Sequence, residues 1–150
     1  MKSLKILNKK EVKGVLNKIK EQHGIENLDL NYVFLKNHED KIFITNRDIE
    51  KVDFEKLKIN NIGLYFCTIE HDEVRLTIEG SQIIGRSAKK NVVELNDEQT
   101  KEWLKGEDIE METDSFGFVI LRHDNDFLGT GRFKGNRIIN FIPNERRIKC

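Results

Sequence analysis

The chain has 150 residues, of which 37% are hydrophobic and 35% charged, and its 26 basic and 26 acidic residues give a formal net charge of zero. This length predicts one domain or two small ones, and the zero charge excludes the bulk attraction to nucleic acid of a strongly basic protein. No apolar stretch approaches the roughly 18 residues of a membrane-spanning helix, and the N-terminus has no apolar signal core. Two distant cysteines, Cys67 and Cys150, predict no disulfide framework and a reducing, cytoplasmic location.

Residues 9–22 are predicted to form an amphipathic helix. Asn8 begins a capping-box-like start, apolar residues repeat on one helical face, and Gly24 is suited to end the helix. His23 stands at the end of the helix, where the helix dipole favours a cation. Strands are then predicted at 32–35 and 41–45 around a polar turn, and a short helix within 48–58.

A second hairpin is predicted from strands at 62–69 and 73–77, with Cys67 as a small buried residue. The segment 78–85 is ambiguous, although Thr77 is placed to cap a short helix there. Next come a strand at 92–95 and a short helix ending near Gly106, with Trp103 and Leu104 facing inward. Strands at 107–111 and 116–122 and a turn at 123–126 complete this part.

Residues 127–149 are predicted to form two short strands around a tight turn at 134–137. Gly129 and Gly131 allow the backbone to bend or to approach another group closely. Six cations accompany one nearby acid, Glu145, in a pattern suited to a phosphate backbone. These cations are Arg132, Lys134, Arg137, Arg146, Arg147 and Lys149.

A family resemblance is carried by Leu128-Gly-Thr-Gly-Arg132 followed by Ile138-Ile-Asn-Phe-Ile-Pro-Asn-Glu-Arg-Arg147. This ordered set resembles the C-terminal PUA-like domain of the rRNA 5-methylcytosine methyltransferases of the Nol/Nop/Fmu group. The close match covers about residues 115–149, and a looser one extends back to Val92. Asn144 stands where that family usually has lysine, which puts one phosphate contact in doubt.

The resemblance implies an α+β fold in two parts. Residues 1–90 resemble the α/β domain that precedes PUA in several archaeal RNA-maturation proteins, with Leu64-Tyr65 and Val74–Gly85 as the cue. Residues 91–150 are expected to form a small mixed β-barrel of the PUA-like type, in a stand-alone protein of archaeal type without a catalytic domain.

The same resemblance implies an RNA-binding surface with no catalytic residue. We expect Arg132, Lys134, Arg146 and Arg147 to face the RNA, and Asn140 and Pro143 to be structural. Phe133 either stacks on an unpaired base or folds under into the core. The full candidate set is Gly129, Gly131, Arg132, Phe133, Lys134, Arg137, Asn140, Arg146 and Arg147.

The sequence contains only weak patterns for a catalytic, metal or cofactor site. Gly129-Thr-Gly131 precedes a turn between strands and does not open a helix. It therefore lacks the strand–loop–helix context of nucleotide-binding loops, and no cofactor is predicted. His38, His71 and His123 each lie in an acidic turn, which is more simply explained as a polar hairpin tip than as a metal or acid–base site.

The leading hypothesis is a non-catalytic RNA-binding protein of rRNA or tRNA modification or ribosome biogenesis. Its partner would be structured RNA, together with an RNA methyltransferase or a ribosomal protein, and no membrane. A second hypothesis is an adaptor that docks an RNA-modifying enzyme or ribosomal protein through acidic residues in 94–114. A third is a small nucleotide-acting enzyme on an ASCH-like barrel, which requires a Lys–Glu or Lys–Asp pair in the barrel mouth. A deep apolar pocket with one shifted carboxylate would favour this hypothesis.

Overall fold

A computed structural model describes residues 4–46, 63–112 and 117–149. The helix predicted within 48–58 lies outside these residues. In the described ranges, three α-helices and two five-stranded sheets are present, which confirms the predicted α+β class.

The first sheet is an antiparallel meander in chain order. Both predicted hairpins are present, and the turn between the last two strands places His71 and Asp72 at positive φ. The strands are β1 (Lys5–Ile6), β2 (Val33–Lys36), β3 (Lys41–Thr45), β4 (Leu64–Glu70) and β5 (Glu73–Leu76).

Helix α1 (Lys9–His23) packs on this sheet and confirms the predicted helix. Asn8 and Glu11 form the reciprocal capping box, and Gly24 ends the helix at φ 63°. Near its end, the Gln22 side-chain amide donates to the Val74 carbonyl at 2.8 Å and accepts from the Val74 N–H at 2.6 Å. Gln22 therefore satisfies both backbone groups of one residue on β5.

The prediction that His23 is a cation at the helix end is wrong. Its side chain is fully buried, and neither ring nitrogen has a hydrogen-bond partner among the described residues. Burial lowers the pKa of His23 to about 4, because the protonated ring would lose its hydration. The imidazole is therefore neutral in the folded protein at neutral pH, and burial outweighs the helix dipole.

The second sheet has the order β6-β8-β9-β10-β7 and curls into a half-barrel. Its β6–β8 pair is parallel and its other pairs are antiparallel, which confirms the mixed PUA-like sheet. Helix α3 (Asp97–Leu104) connects the two edges and buries Trp103 in this sheet's core. The strands are β6 (Val92–Glu94), β7 (Ile109–Glu110), β8 (Gly117–His123), β9 (Asp126–Lys134) and β10 (Arg137–Asn140).

Helix α2 (Ile78–Ile84) resolves the ambiguous segment and lies between the two sheets. The Thr77 hydroxyl caps it by accepting from the Gly80 N–H at 2.9 Å. A methyl group on Gly85 would lie 2.2 Å from the Phe127 ring, so only glycine permits this approach of α2 to β9. The Ser81 hydroxyl also accepts from the Gly129 N–H of β9 at 3.0 Å.

The buried core crosses residue 90, which was the predicted domain boundary. Ile120 and Phe127 of the second sheet belong to the same buried cluster as Phe66 and Ile84. The Asn91 side-chain amide also donates to the Gln22 carbonyl, which adds a hydrogen bond across residue 90. The two halves therefore share an extensive junction, and the division at residue 90 stays a prediction.

Candidate nucleic-acid interface

The β9–β10 hairpin places two of the predicted cations at its exposed tip. Lys134 and Arg137 are register partners across a turn in which Gly135 has a φ of 65°. Arg137 is 59% exposed and lies 3.6 Å from Asp108, while Lys134 makes no ion pair with any residue in the described ranges. These two cations, named here the hairpin pair, are thus largely available to an external anion.

Arg132 lies farther along β9 and contacts the N-terminal half. Its Nη1 donates to Glu73 Oε2 at 3.2 Å, and its guanidinium lies 5.2 Å from the centre of the Phe118 ring. The side chain is 42% exposed. Arg132 therefore joins the two halves and keeps part of its guanidinium at the surface.

The two C-terminal arginines take different positions. Arg146 forms a two-point ion pair with Glu79 of α2, with N–O distances of 2.9 and 3.2 Å. Arg147 donates from Nε to the Ile142 carbonyl at 2.9 Å and packs across Gly106 beyond the end of α3. The two predicted arginines therefore contact different elements, Arg146 contacting α2 and Arg147 the end of α3.

The candidate glycines are buried and fill packing roles. Gly129 has a φ of 98°, and a methyl group there would lie 3.1 Å from Ile78. A methyl group on Gly131 would lie 2.4 Å from Ile138 and 2.8 Å from Trp103. Both glycines are buried and allow close packing of β9.

Phe133 and Asn140 also make internal contacts. Phe133 packs against the core of the second sheet, which is one of its two predicted positions. Asn140 donates from Nδ2 to the carbonyls of Trp103 and Glu107 at 2.8 and 2.9 Å. Its Oδ1 accepts from the Ile142 N–H at 2.7 Å, so the amide is fully used in joining β10 to the end of α3.

Sequence reasoning missed a row of arginines and aromatic rings across the junction. The Arg75 guanidinium lies 4.7 Å from the centre of the Phe141 ring, and Phe141 meets Phe118 edge-to-face with centres 6.1 Å apart. Arg132 covers the other end of the row. These residues lie on three different strands and on the segment after β10, so no local sequence signal could have grouped them.

A cleft of about 90 Å³ opens beside this row, between the two halves. Arg75 and Glu79 line it from the N-terminal half, and Thr130, Phe141 and Arg146 line it from the C-terminal half. The Glu79–Arg146 hydrogen bond lowers the pKa of the Glu79 carboxyl below its usual range. The carboxylate is therefore ionised at neutral pH, and Arg146 is its partner.

The remaining titratable groups of the described ranges do not form a metal centre. His123 Nε2 lies 2.7 Å from Asp97 Oδ1, and this hydrogen bond raises the pKa of the imidazole. Across the described ranges, no three His, Cys, Asp or Glu side chains are grouped so as to hold a metal ion. No helix in the same ranges is both long and apolar enough to cross a membrane.

The part of the chain that forms the second sheet is similar to a domain of known proteins. Residues 90–148 match the family described as the Methyltransferase RsmF PUA domain. The chain is 31% identical over 91 residues to the ribosomal RNA small subunit methyltransferase F of Vibrio cholerae serotype O1. It is 32% and 34% identical over 91 residues to the proteins of the same name from Aeromonas salmonicida and Aeromonas hydrophila. The predicted resemblance is thereby confirmed over residues 90–148.

These alignments cover 60% of the chain but only 19% of each relative, so the chain matches about a fifth of the length of these methyltransferases. The aligned 91 residues are more than the range 91–150 contains, so the similarity begins in the N-terminal half. The named relatives are bacterial, and the archaeal source and the cytoplasmic location stay predictions.

Proposed function

We propose that this chain binds ribosomal RNA in the course of its modification, through the basic surface of its PUA domain, and that it carries no catalytic step itself. The observation that carries the proposal is the match of residues 90–148 to the PUA domain of proteins named as ribosomal RNA methyltransferases. The hairpin pair, Lys134 and Arg137, would provide the first contacts with the phosphate backbone.

The ion pairs of the surface arginines are compatible with this role. Arg132, Arg137 and Arg146 are each about half exposed while holding a carboxylate. Exposed pairs of this kind contribute roughly 0–1 kcal/mol. A phosphate oxygen can therefore replace the carboxylate at little cost, and counterion release from the RNA favours the exchange.

Recognition would depend on shape and backbone more than on sequence. The cations lie on the hairpin and at strand ends, whereas the Phe133 ring and the Asn140 amide make internal contacts. Phosphate contacts position a protein on RNA without reading its sequence. This surface thus suits a structured RNA whose backbone geometry is distinctive.

The acidic adaptor hypothesis has less support from the geometry. Glu94 accepts from Arg122 at 2.7 Å and from the Asp124 N–H at 2.8 Å, and Asp108 accepts from the Asn140 N–H at 2.9 Å. These acids stabilise the domain's own fold. They are therefore less available to a basic partner than the sequence suggests.

The proposal is tested by fluorescence anisotropy with a small-subunit rRNA fragment and with tRNA at two salt concentrations. We expect Lys134→Glu/Arg137→Glu to weaken rRNA binding by about tenfold or more and to reduce its salt dependence, because two phosphate contacts become repulsive. The matched control is Lys10→Glu/Lys13→Glu, which makes the same charge change on exposed α1 residues. Absence of binding at low salt overturns the proposal, and equal losses in both variants overturn the assignment to the hairpin.

A further inference from the structure

The cleft between the halves contains two buried polar atoms without partners. Thr130 is 4% exposed, and its Oγ1 makes no hydrogen bond within the described part of the chain. The Arg75 side chain is 24% exposed, but its Nε atom is buried and makes no hydrogen bond within the described ranges, although Nη2 donates to Glu70 at 3.1 Å. Both residues line the same cleft. Buried groups of this kind are normally satisfied, so two in one cleft indicate that an external group completes them.

The chemistry of the lining suits a flat, polar ring. Arg75 presents a planar guanidinium stacked on Phe141, with an N–H donor beside it, and Thr130 presents a hydroxyl that can donate or accept. Stacking on arginine and aromatic planes combined with edge hydrogen bonds is how proteins hold unpaired bases.

The size of the cleft and the side chains around it limit which ligands it can hold. Its volume of about 90 Å³ is far below the roughly 300–1,000 Å³ of sites for drug-sized ligands. A single ring system fits this limit, and a whole cofactor does not. Arg146 also lines the cleft, and its side chain, which is 46% exposed, can meet the phosphate attached to an inserted base.

We infer that the cleft takes one unpaired base of the bound RNA, held by Arg75 Nε, the Thr130 hydroxyl and the Arg75–Phe141 stack. This inference rests on the proposed function and adds a second element to it. The hairpin holds the phosphate backbone, while the junction holds a base that has left its helix. RNA would then contact both halves of the chain, in keeping with a sequence similarity that begins in the N-terminal half.

The decisive variant is Thr130→Val, which removes the partnerless hydroxyl and keeps a similar shape. Without RNA, we expect its melting temperature to be unchanged or raised, because a buried unsatisfied group is lost. The matched control is Thr100→Val on α3, whose hydroxyl donates to the Asn96 carbonyl at 2.7 Å outside the cleft. Phe141→Leu tests the stack independently if Thr130→Val lowers the melting temperature.

The probes are a blunt RNA duplex, the same duplex with a single-stranded uridine tail, and uridine monophosphate. We expect the tailed duplex to bind the wild type about fivefold or more tightly than the blunt one, since a stacked base contributes at least that factor. Thr130→Val and Phe141→Leu should each remove the advantage of the tail and leave blunt-duplex binding unchanged. Lys134→Glu/Arg137→Glu should weaken both duplexes.

The other outcomes contradict either the inference or the proposed function. A tail advantage that is absent, or that persists in both cleft variants, overturns the inference while the proposed function stands. Binding of uridine monophosphate without any RNA binding shows a site for free nucleotides and overturns the RNA assignment. If no probe binds, the proposed function fails and the inference fails with it.

Discussion

Two groups of cations from the same part of the chain perform different tasks in this fold. The hairpin pair, Lys134 and Arg137, projects from the tip of β9 and β10 and has at most one long ion-pair contact in the described ranges. Arg132 and Arg146, the junction arginines, each bridge to a glutamate before residue 90. Basic residues in one motif are therefore divided between joining the halves and facing solvent, and the tertiary structure decides which residue does which.

The largest effect is expected from acid, because His23 is buried as a neutral imidazole next to Gln22, whose carbonyl accepts a hydrogen bond from Asn91 across residue 90. The folded-state pKa of His23, about 4, lies below its usual 6.5, so below pH 6.5 the unfolded chain binds a proton that the folded chain does not. We expect stability to fall by about 3 kcal/mol from pH 6.5 down to 4. Urea unfolding across this range measures it. His23→Leu should flatten the slope, and an unchanged slope would contradict the assignment.

The second test concerns the packing between the end of α2 and β9. Gly85→Ala places a methyl group 2.2 Å from the Phe127 ring, so we expect a loss of about 2 kcal/mol from overpacking. Gly14→Ala is the control, since a methyl group there meets nothing within 4 Å and should stabilise α1 by about 0.5–1 kcal/mol. Thermal unfolding compares the two. Equal effects would mean that the junction is loosely packed.

The third test measures the Glu79–Arg146 pair by a double-mutant cycle with Glu79→Gln and Arg146→Gln. The pair is two-point but partly exposed, so we expect a coupling energy of about 0.5–1 kcal/mol that decreases with added salt. Chemical denaturation at low and high salt gives the value. A coupling energy near zero would mean that Glu79 does not hold Arg146. Arg146 would then be as available to a ligand as the hairpin pair.

The smallest effect is expected at the hairpin itself. Lys134→Ala/Arg137→Ala should change the free energy of unfolding by no more than about 0.5 kcal/mol, because both side chains are exposed and lack strong partners. The same thermal unfolding experiment measures it. A large loss would show that the hairpin cations stabilise the fold, and it would remove the contrast with the junction arginines.

Local elements were predictable because their signals are local. The capping box of α1, the turn at Gly135 and the hairpins of the first sheet all depend on residues within a few positions of one another. The PUA resemblance added the topology of the second sheet, whose parallel β6–β8 pair no periodicity reveals.

The junction could not be predicted, since its contacts join residues far apart in sequence. The Arg132–Glu73 and Arg146–Glu79 pairs span 59 and 67 positions, and nothing in the local sequence selects one glutamate from many. His23 shows the same limit. Its position at a helix end predicts a cation, but packing beneath Lys89 and Lys90 removes it from water.

One feature of the first sheet bears on how the protein behaves in a concentrated solution. The exposed border of a sheet can recruit strands from other molecules through unpaired backbone groups, which leads to aggregation. At Val74, the Gln22 side-chain amide already occupies both groups, so a helix residue stands in for the missing neighbour strand. Loss of the amide nitrogen by deamidation would leave a carboxylate, which cannot donate, and the Val74 carbonyl would lose this partner.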